Sequence, residues 1–430
     1  MGYRELLRTQ PAFRKLWLGQ IVSELGDWLQ LLALLALFPT KGEGVERLAG
    51  IFIVRMLPSI LWAPLAGVVA DRFPRGQVMV ACDIGRALVV LGYLFIRGPE
   101  DVVWIYALMF AQESLSSFFE PARAAALPQV VEPRALLAAN SLSGATWSAM
   151  LAIGAALGGL LLAGVGPRIA FVVDAGSFIA SALIIGTIGI PRVVRDAEGT
   201  AAHAKDRFGL FALREGMTYL RAHRAQASAA LVKGLWGMSG GLVFLFSIYA
   251  GQRFNVPSRD PSSITGLLFA GRGLGALMGP LVARRLIGES PKALRRSIQI
   301  AFPASVAAII AFAFAPNALL GALCLVFVHA GGSTCWVNSS QLLQLTVPNS
   351  LQGRVFAVEL ATFTFAMALS NAFAGAALGR GLLDLRGVTF AMAAAAALSA
   401  IVWWLLMRRV GARLDSAGEA DGQGPAKLPP

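Results

Sequence analysis

The chain has 430 residues, of which 56% are hydrophobic and only 14% are charged. Soluble globular domains carry about 25% charged residues, so this composition excludes an ordinary soluble protein. The net charge of +13 would suggest nucleic acid as a partner of a soluble chain. In a membrane protein it instead raises the question of where the basic residues fall.

Apolar runs long enough to cross a bilayer recur along the chain. They fall at residues 13–38, 49–70, 78–97, 102–126, 142–164, 169–190, 227–250, 264–283, 297–315, 318–346, 355–379 and 388–407. We therefore expect an all-α integral membrane protein with twelve transmembrane helices in two groups of six. We number these runs as spans one to twelve in chain order.

The expected domains are two six-helix bundles, residues 1–190 and 227–410. Between them, residues 191–226 form a basic linker that contains a candidate amphipathic surface helix at 208–222. The polar tail at 411–430 is expected to be disordered.

The distribution of Lys and Arg predicts the orientation in the cell membrane. With the N-terminus inside, the cytoplasmic segments hold about 25 of these residues and the outer segments about 8. Both termini and the linker are therefore expected to be cytoplasmic.

A charged turn separates spans two and three, from Gly67 to Gln77. Gly67 lacks a side chain one turn before the helix end, which would let a neighbouring helix approach closely. Asp71 stands at a helix C-terminus, where the macrodipole disfavours an anion, so we expect a basic side chain or another helix N-terminus to compensate it. The alternative is that Asp71, Arg72 and Arg75 are solvated turn residues.

Three further charges follow this turn. Asp83 and Arg86 lie three residues apart at the start of span three, and Glu120 lies at the end of span four. We expect them to form a charge network around the basic residues of the turn, with solvated helix ends as the alternative.

Ionisable residues inside the spans are candidates for transport chemistry because they are costly to insert. Glu24 and Asp27 share a face of span one, with Arg55 as the nearby counter-charge, and form either a proton or cationic-substrate site or a structural ion pair. Glu113 has no basic residue in its own span at that depth. Since burial favours a neutral carboxyl, Glu113 is the main candidate for proton coupling.

Two more carboxylates lie in later spans. Asp174 could cap its helix or pair with Arg168, and we interpret it as structural. Glu359 and Arg272 are candidate partners in the second bundle.

The two groups of spans also resemble each other. Ala63–Leu65 is matched by Gly279–Leu281, and Pro133 with Leu136 by Pro348 with Leu351. Both offsets are about 215 residues, as expected of two parallel repeats.

The charged turn resembles the loop motif of the major facilitator superfamily, Gly-x-x-x-Asp-Arg-x-Gly-Arg-Arg, but has Pro74 where the family usually has Gly. Other stretches are similar to the exporter branch that contains macrolide efflux proteins and the enterobactin exporter. These stretches are Phe13–Trp17, Ser23–Trp28, Pro121–Pro128, Ala139–Ser141 and Asp174–Phe178. The resemblance implies the major facilitator fold, in which Asp71 faces the start of helix eleven, here marked by Arg354.

Span five carries Gly154, Gly158 and Gly159, which resemble the antiporter motif of drug exporters, with Ala155 in place of its Pro. Such glycines allow close helix packing between the two halves, and packing alone is the alternative to an antiport role.

The sequence has neither a phosphate-binding glycine loop nor an enzyme constellation, and its three cysteines lack metal-ligand spacing. We expect a monomeric secondary transporter, not an enzyme, without cofactor, metal or nucleic-acid partner. It would export amphipathic, drug-like small molecules in exchange for protons across the lipid bilayer. The alternatives are a siderophore exporter, a lysophospholipid transporter, or a transport-inactive sensor or scaffold.

Overall fold

The computed structural model describes residues 2–190, 210–255, 260–288 and 290–422, and every regular element in these ranges is helical. The α-helices are α1 (Tyr3–Thr9), α2 (Pro11–Ala36), α3 (Glu43–Arg72), α4 (Arg75–Gly92), α5 (Val102–Val130), α6 (Leu136–Gly186), α7 (Leu210–Ala222), α8 (Arg224–Gly237), α9 (Leu245–Gln252), α10 (Pro261–Ile287), α11 (Pro291–Phe314), α12 (Ala318–Thr346), α13 (Asn349–Gly379) and α14 (Leu385–Gly422). We call α1–α6 the N-terminal helices and α7–α14 the C-terminal helices.

Within the described ranges, nine segments are long and apolar enough to cross a membrane. One of them, Pro133–Gly186, contains a break and accounts for two of the predicted spans. The helices α2 and α3 have 26 and 30 residues, enough to cross a bilayer by length, but are not among those nine. The expected all-helical membrane fold is confirmed, and the exact number of twelve crossings stays a prediction.

The break in α6 lies at Gly166, whose φ of 77° is a left-handed conformation that favours glycine. Both parts of α6 then run beside α2. The indole of Trp17 donates to Thr146 Oγ1 at 2.7 Å, and Lys15 Nζ donates to the carbonyl of Thr187 at 3.3 Å. Residues on either side of Gly166 thus meet the same turn of α2, so the chain reverses direction at this glycine.

The predicted span 227–250 lies within one segment of membrane length, Arg224–Gln252, but its helix breaks between α8 and α9. This stretch is rich in glycine, which weakens a helix. One side chain satisfies two of the backbone groups at this break. Ser370 Oγ accepts from the N–H of Gly241 at 2.9 Å and donates to the carbonyl of Met238 at 2.8 Å.

A helix lies in the predicted linker. Residues 191–209 lie outside the described residues, and α7 then packs on the first turns of α13. Arg354 Nε lies 3.0 Å from Glu215 Oε2, so the arginine that marks the start of α13 pairs with α7. At the other end of the chain, α14 continues to Gly422, past residue 410 where a disordered tail was expected. Residues 423–430 lie outside the described part.

The buried apolar residues of the described ranges form three clusters. One contains only residues between Leu6 and Ile188, and another only residues between Leu220 and Val410. The third combines both groups of helices and includes the α2–α3 junction. We call the end of the bundle at the α3–α4 turn the loop-motif end and the end at the α2–α3 junction the opposite end. The core is therefore shared at the opposite end and divided at the loop-motif end.

Contacts between the two groups at the opposite end are close. A Cβ on Gly375 of α13 would lie 2.5 Å from Ala49 Cβ of α3. One turn further along, Arg380 Nε lies 3.3 Å from Glu46 Oε1. Gly67, near the loop-motif end of α3, has nothing within 4 Å of the place a Cβ would take. The expectation that Gly67 admits a neighbouring helix is therefore wrong for this conformation.

Candidate functional site

A pocket inside the N-terminal helices is lined by polar groups from α2 and α5 and one from α3. Its polar residues are Asp27, Gln30, Arg55, Gln112 and Glu113, and its apolar residues are Leu31, Leu34 and Met109. Five polar side chains converge among transmembrane helices, where such groups are rare and mark functional positions.

An ion pair joins two walls of this pocket. Arg55 Nε lies 2.8 Å from Glu113 Oε1, and both side chains are partly exposed, at 34% and 23%. The inference that Glu113 is isolated is therefore wrong, because its partner comes from α3 rather than from its own helix. Arg55 is correspondingly the direct partner of Glu113, not of Glu24 or Asp27.

Asp27 lines the same pocket but makes no hydrogen bond or ion pair with any side chain in the described ranges. It interacts electrostatically with Arg86, Arg55 and Glu113. A second carboxylate thus lies near the ion pair and offers Arg55 an alternative partner.

In the same pocket, the amides of Gln30 and Gln112 exchange two hydrogen bonds of 2.5 and 2.7 Å. Both side chains are buried, and each amide gives a donor and an acceptor to the other. This reciprocal pair fixes α2 against α5 and so holds two walls of the pocket together.

Glu24 belongs to a separate hydrogen-bond network, although it shares a helix face with Asp27. Gln20 Nε2 donates to Glu24 Oε1 at 2.8 Å, and Arg123 Nη1 donates to Gln20 Oε1 at 3.2 Å. Arg123 also pairs with Glu120 at 2.9 Å. The two carboxylates predicted as one site therefore belong to separate surroundings.

The predicted charge network near the loop motif divides in two. Asp83 and Arg86 pair with each other and are buried, and the Arg86 guanidinium lies 4.3 Å from the Phe119 ring centre and 4.4 Å from that of Phe178. Glu120 pairs with Arg123 instead. The prediction of one combined network is therefore wrong. Asp83 and Arg86 instead face the inside of the N-terminal helices, where two aromatic faces stabilise the cation.

The charged turn itself contacts α5. Arg75 Nη1 donates to the carbonyl of Ala125 at 2.7 Å, while Arg72 is exposed. The side chain of Asp71 lies outside the described residues, so its docking near Arg354 stays a prediction.

Asp174 is fully buried and lies against Gly26 of α2. Its Oδ1 accepts from Ser177 Oγ at 3.3 Å, and its Oδ2 has no partner among the described residues. The suggested pairing with Arg168 is not what the structure has, because the carboxylate points at α2.

The C-terminal helices contain a buried ion pair that the sequence interpretation missed. Lys233 Nζ lies 2.8 Å from Glu359 Oε2, with side chains 8% and 1% exposed. Ser340 Oγ accepts a further hydrogen bond from Lys233 at 2.8 Å, and the ammonium lies 4.3 Å from the Trp336 ring centre. Lys233 inside an apolar run was a visible signal, but its partner 126 residues away was not.

Arg272 is consequently not the partner of Glu359. Its guanidinium lies 5.9 Å from the Phe269 ring centre in the same helix and within electrostatic range of Arg55. It has no carboxylate partner among the described side chains.

The three glycines of span five face two neighbouring helices, α2 and α10. A Cβ on Gly154 would lie 3.1 Å from Trp28, and one on Gly158 would lie 3.1 Å from Leu32, both in α2. A Cβ on Gly159 would lie 2.6 Å from the carbonyl of Ser262 in α10. Only Gly159 of the three therefore meets the C-terminal helices.

Within the described ranges, no group of three or more His, Cys, Asp or Glu side chains is arranged to hold a metal ion.

Several curated proteins are similar over most of their length. The chain is 26% identical to "Uncharacterized MFS-type transporter YfiS" of Bacillus subtilis, covering 86% of this chain and 88% of that protein. It is 24% identical to "Putative bacilysin exporter BacE" of the same species, covering 85% and 88%. It is 25% identical to "Enterobactin exporter EntS" of Shigella boydii, covering 81% of each.

Solved transporters share the fold. The nucleoside transporter NupG superposes with a TM-score of 0.67 at 14% identity, over 92% of this chain and 99% of that one. A bacterial homologue of the iron transporter ferroportin, in an inward-facing state, superposes with a TM-score of 0.66 at 18% identity, over 93% and 100%.

The family pattern of these transporters matches residues 16–371, which include the pocket, both buried ion pairs and the charged turn. This chain belongs to the Major Facilitator Superfamily.

Proposed function

We propose that this transporter exports amphipathic small molecules in exchange for protons. The observation that carries the proposal is the partly exposed Arg55–Glu113 pair beside Asp27 in one pocket. A proton on Glu113 would remove its charge and leave Arg55 free to interact with Asp27. The change of partner would move Arg55 from a contact with α5 to one with α2.

Coupling requires that the proton be bound more tightly in one conformation than in the other. A carboxylate whose counter-charge can move to a second carboxylate meets this requirement. Glu113 is the proposed coupling residue, with Asp27 as the second position of Arg55.

We propose that the loop-motif end faces the cytoplasm, together with both termini and the linker. The excess of Lys and Arg in those segments supports this orientation. In this orientation the two groups of helices meet at their outer ends and separate towards the cytoplasm, an inward-facing arrangement. Transport would follow from rocking residues 1–190 against residues 227–410 about the central cleft.

Export rather than import is supported by the relatives BacE and EntS, which are named as exporters. Similarity to EntS also makes a dedicated siderophore exporter the second candidate function.

Inverted membrane vesicles test both proposals. Vesicles containing the transporter, with an acidic interior, are supplied with a macrolide, enterobactin or bacilysin. Uptake of one of these compounds that ceases when a protonophore collapses the gradient would support proton-coupled export. Equal uptake with and without the gradient would contradict proton coupling, and uptake of enterobactin alone would favour the siderophore exporter.

A further inference from the structure

Arg272 lies within a transmembrane helix, and its guanidinium has no carboxylate partner among the described residues. Two other arginines inside the spans, Arg55 and Arg86, each pair with a carboxylate. Arg272 is partly accessible and packs its guanidinium near Phe269. A membrane-buried cation is costly, and without a fixed counter-charge it can be compensated by a bound anion.

His329 of α12 presents a second unsatisfied group. The side chain is nine-tenths buried, and its Nε2 has no hydrogen-bond partner in the described part of the chain. Its ring lies nearly perpendicular to those of Phe246 and Trp236, at centre distances of 6.1 and 6.4 Å. Because buried polar atoms normally have partners, this nitrogen points to a ligand.

Close helix packing brings these two residues together. The α-carbons of Gly271 and Gly275 in α10 leave room for the backbone of α12 at Ala322 and Val326. The two helices therefore run side by side in the same direction. His329 then lies within electrostatic range of Arg272.

Aromatic surface continues from this pair towards the loop-motif end. Trp336 lies two turns after His329 on α12, is 37% exposed, and contacts the Phe363 ring at a centre distance of 4.9 Å. Trp236, partly exposed, lies between them against Gly332. The surface is thus polar at Arg272 and His329 and aromatic at Trp236 and Trp336.

We propose that the transported compounds are amphipathic organic anions whose acidic group binds Arg272 and His329 and whose apolar body lies on Trp236 and Trp336. The inference rests on the proposed transport function and adds the class of substrate. Asp27 and Glu113, which line the pocket inside the N-terminal helices, repel an anion and so direct the acidic group to α10. Charge-assisted hydrogen bonds from a guanidinium to a carboxylate give the site its preference for the ionised compound.

Binding to the purified full-length protein in lipid nanodiscs, without any gradient, tests this site. The probes are N-acetylphenylalanine, an anion at neutral pH, and N-acetylphenylalaninamide, which has the same size and no charge. Isothermal titration calorimetry should show about tenfold tighter binding of the acid than of the amide. Arg272→Gln should weaken acid binding about tenfold and leave amide binding unchanged. His329→Gln should weaken acid binding by a smaller factor.

Arg285→Gln is the matched control, because Arg285 is exposed near the end of the same helix. It should leave both affinities unchanged. Equal affinity of the wild-type protein for acid and amide, or no binding of the acid, would overturn the anion site even if the variants failed to fold. Unaltered acid binding in Arg272→Gln would overturn it as well. Because no gradient is applied, a preference for the acid would stand even if proton-coupled export failed in vesicles.

Discussion

Arg55 and Glu113 form an ion pair of 2.8 Å that joins α3 to α5, and Asp27 of α2 lines the same pocket. Three helices therefore meet around one cation and two carboxylates. Arg55 cannot pair with both carboxylates at once. In the proposed mechanism, a proton on Glu113 would leave Arg55 to pair with Asp27, which would change the packing of α2, α3 and α5.

Glu113→Gln should abolish gradient-driven export while leaving downhill exchange of substrate measurable. The amide resembles the protonated carboxyl and cannot release a proton, so the pocket is held in one charge state. Transport into inverted vesicles, with and without a pH gradient, measures the effect. Glu120→Gln is a suitable control because it also removes a carboxylate from α5, at an exposed position. Accumulation against a gradient by Glu113→Gln with the wild-type pH dependence would assign coupling to Asp27 or Glu24.

The helices and the family could be predicted from the sequence, because apolar runs of bilayer length and the charged turn are local signals. The pairing of charges could not. Glu113 contacts an arginine 58 positions earlier in the chain, and Glu359 contacts a lysine 126 positions earlier. Such contacts depend on how helices rotate and pack. The break between α8 and α9 was also missed, since hydropathy does not register a helix interruption whose backbone groups are satisfied by Ser370 on another helix.

Lys233 and Glu359 should behave as a unit in stability measurements. Removing one partner of a buried ion pair leaves an uncompensated charge and costs about 3–5 kcal/mol. Lys233→Met and Glu359→Gln should therefore each lower the thermal stability of the purified protein strongly. The double variant should recover much of the loss, since it carries neither charge. A double variant no more stable than either single one would show that the pair does not account for their effects.

Cysteine labelling should establish the orientation. Lys41 at the opposite end and Gln77 at the loop-motif end are both exposed, so each accepts a cysteine without burying it. In a background without Cys82, Cys324 and Cys335, Lys41→Cys should react with an impermeant thiol reagent in intact cells. Gln77→Cys should react only after the membrane is opened. The reverse pattern would place the termini outside.

Gly375→Leu should drive the transporter away from this conformation. Gly375 packs against Ala49 where the two groups of helices meet at the opposite end, and a Cβ alone would come within 2.5 Å of the Ala49 Cβ. A leucine there would act as a wedge that favours separation of α3 and α13. Gly353→Leu adds the same side chain to the same helix where nothing lies within 4 Å of the Cβ position, which makes it the matched control.

Spin labels at Lys41 and Leu382, both exposed at the opposite end, report the separation of α3 and α13 by pulsed electron paramagnetic resonance. The distance between the labels should increase in Gly375→Leu and remain at the wild-type value in Gly353→Leu. An unchanged distance in a stable Gly375→Leu protein would mean that α3 and α13 can absorb the added side chain without separating, and that this contact does not control the opening of the opposite end.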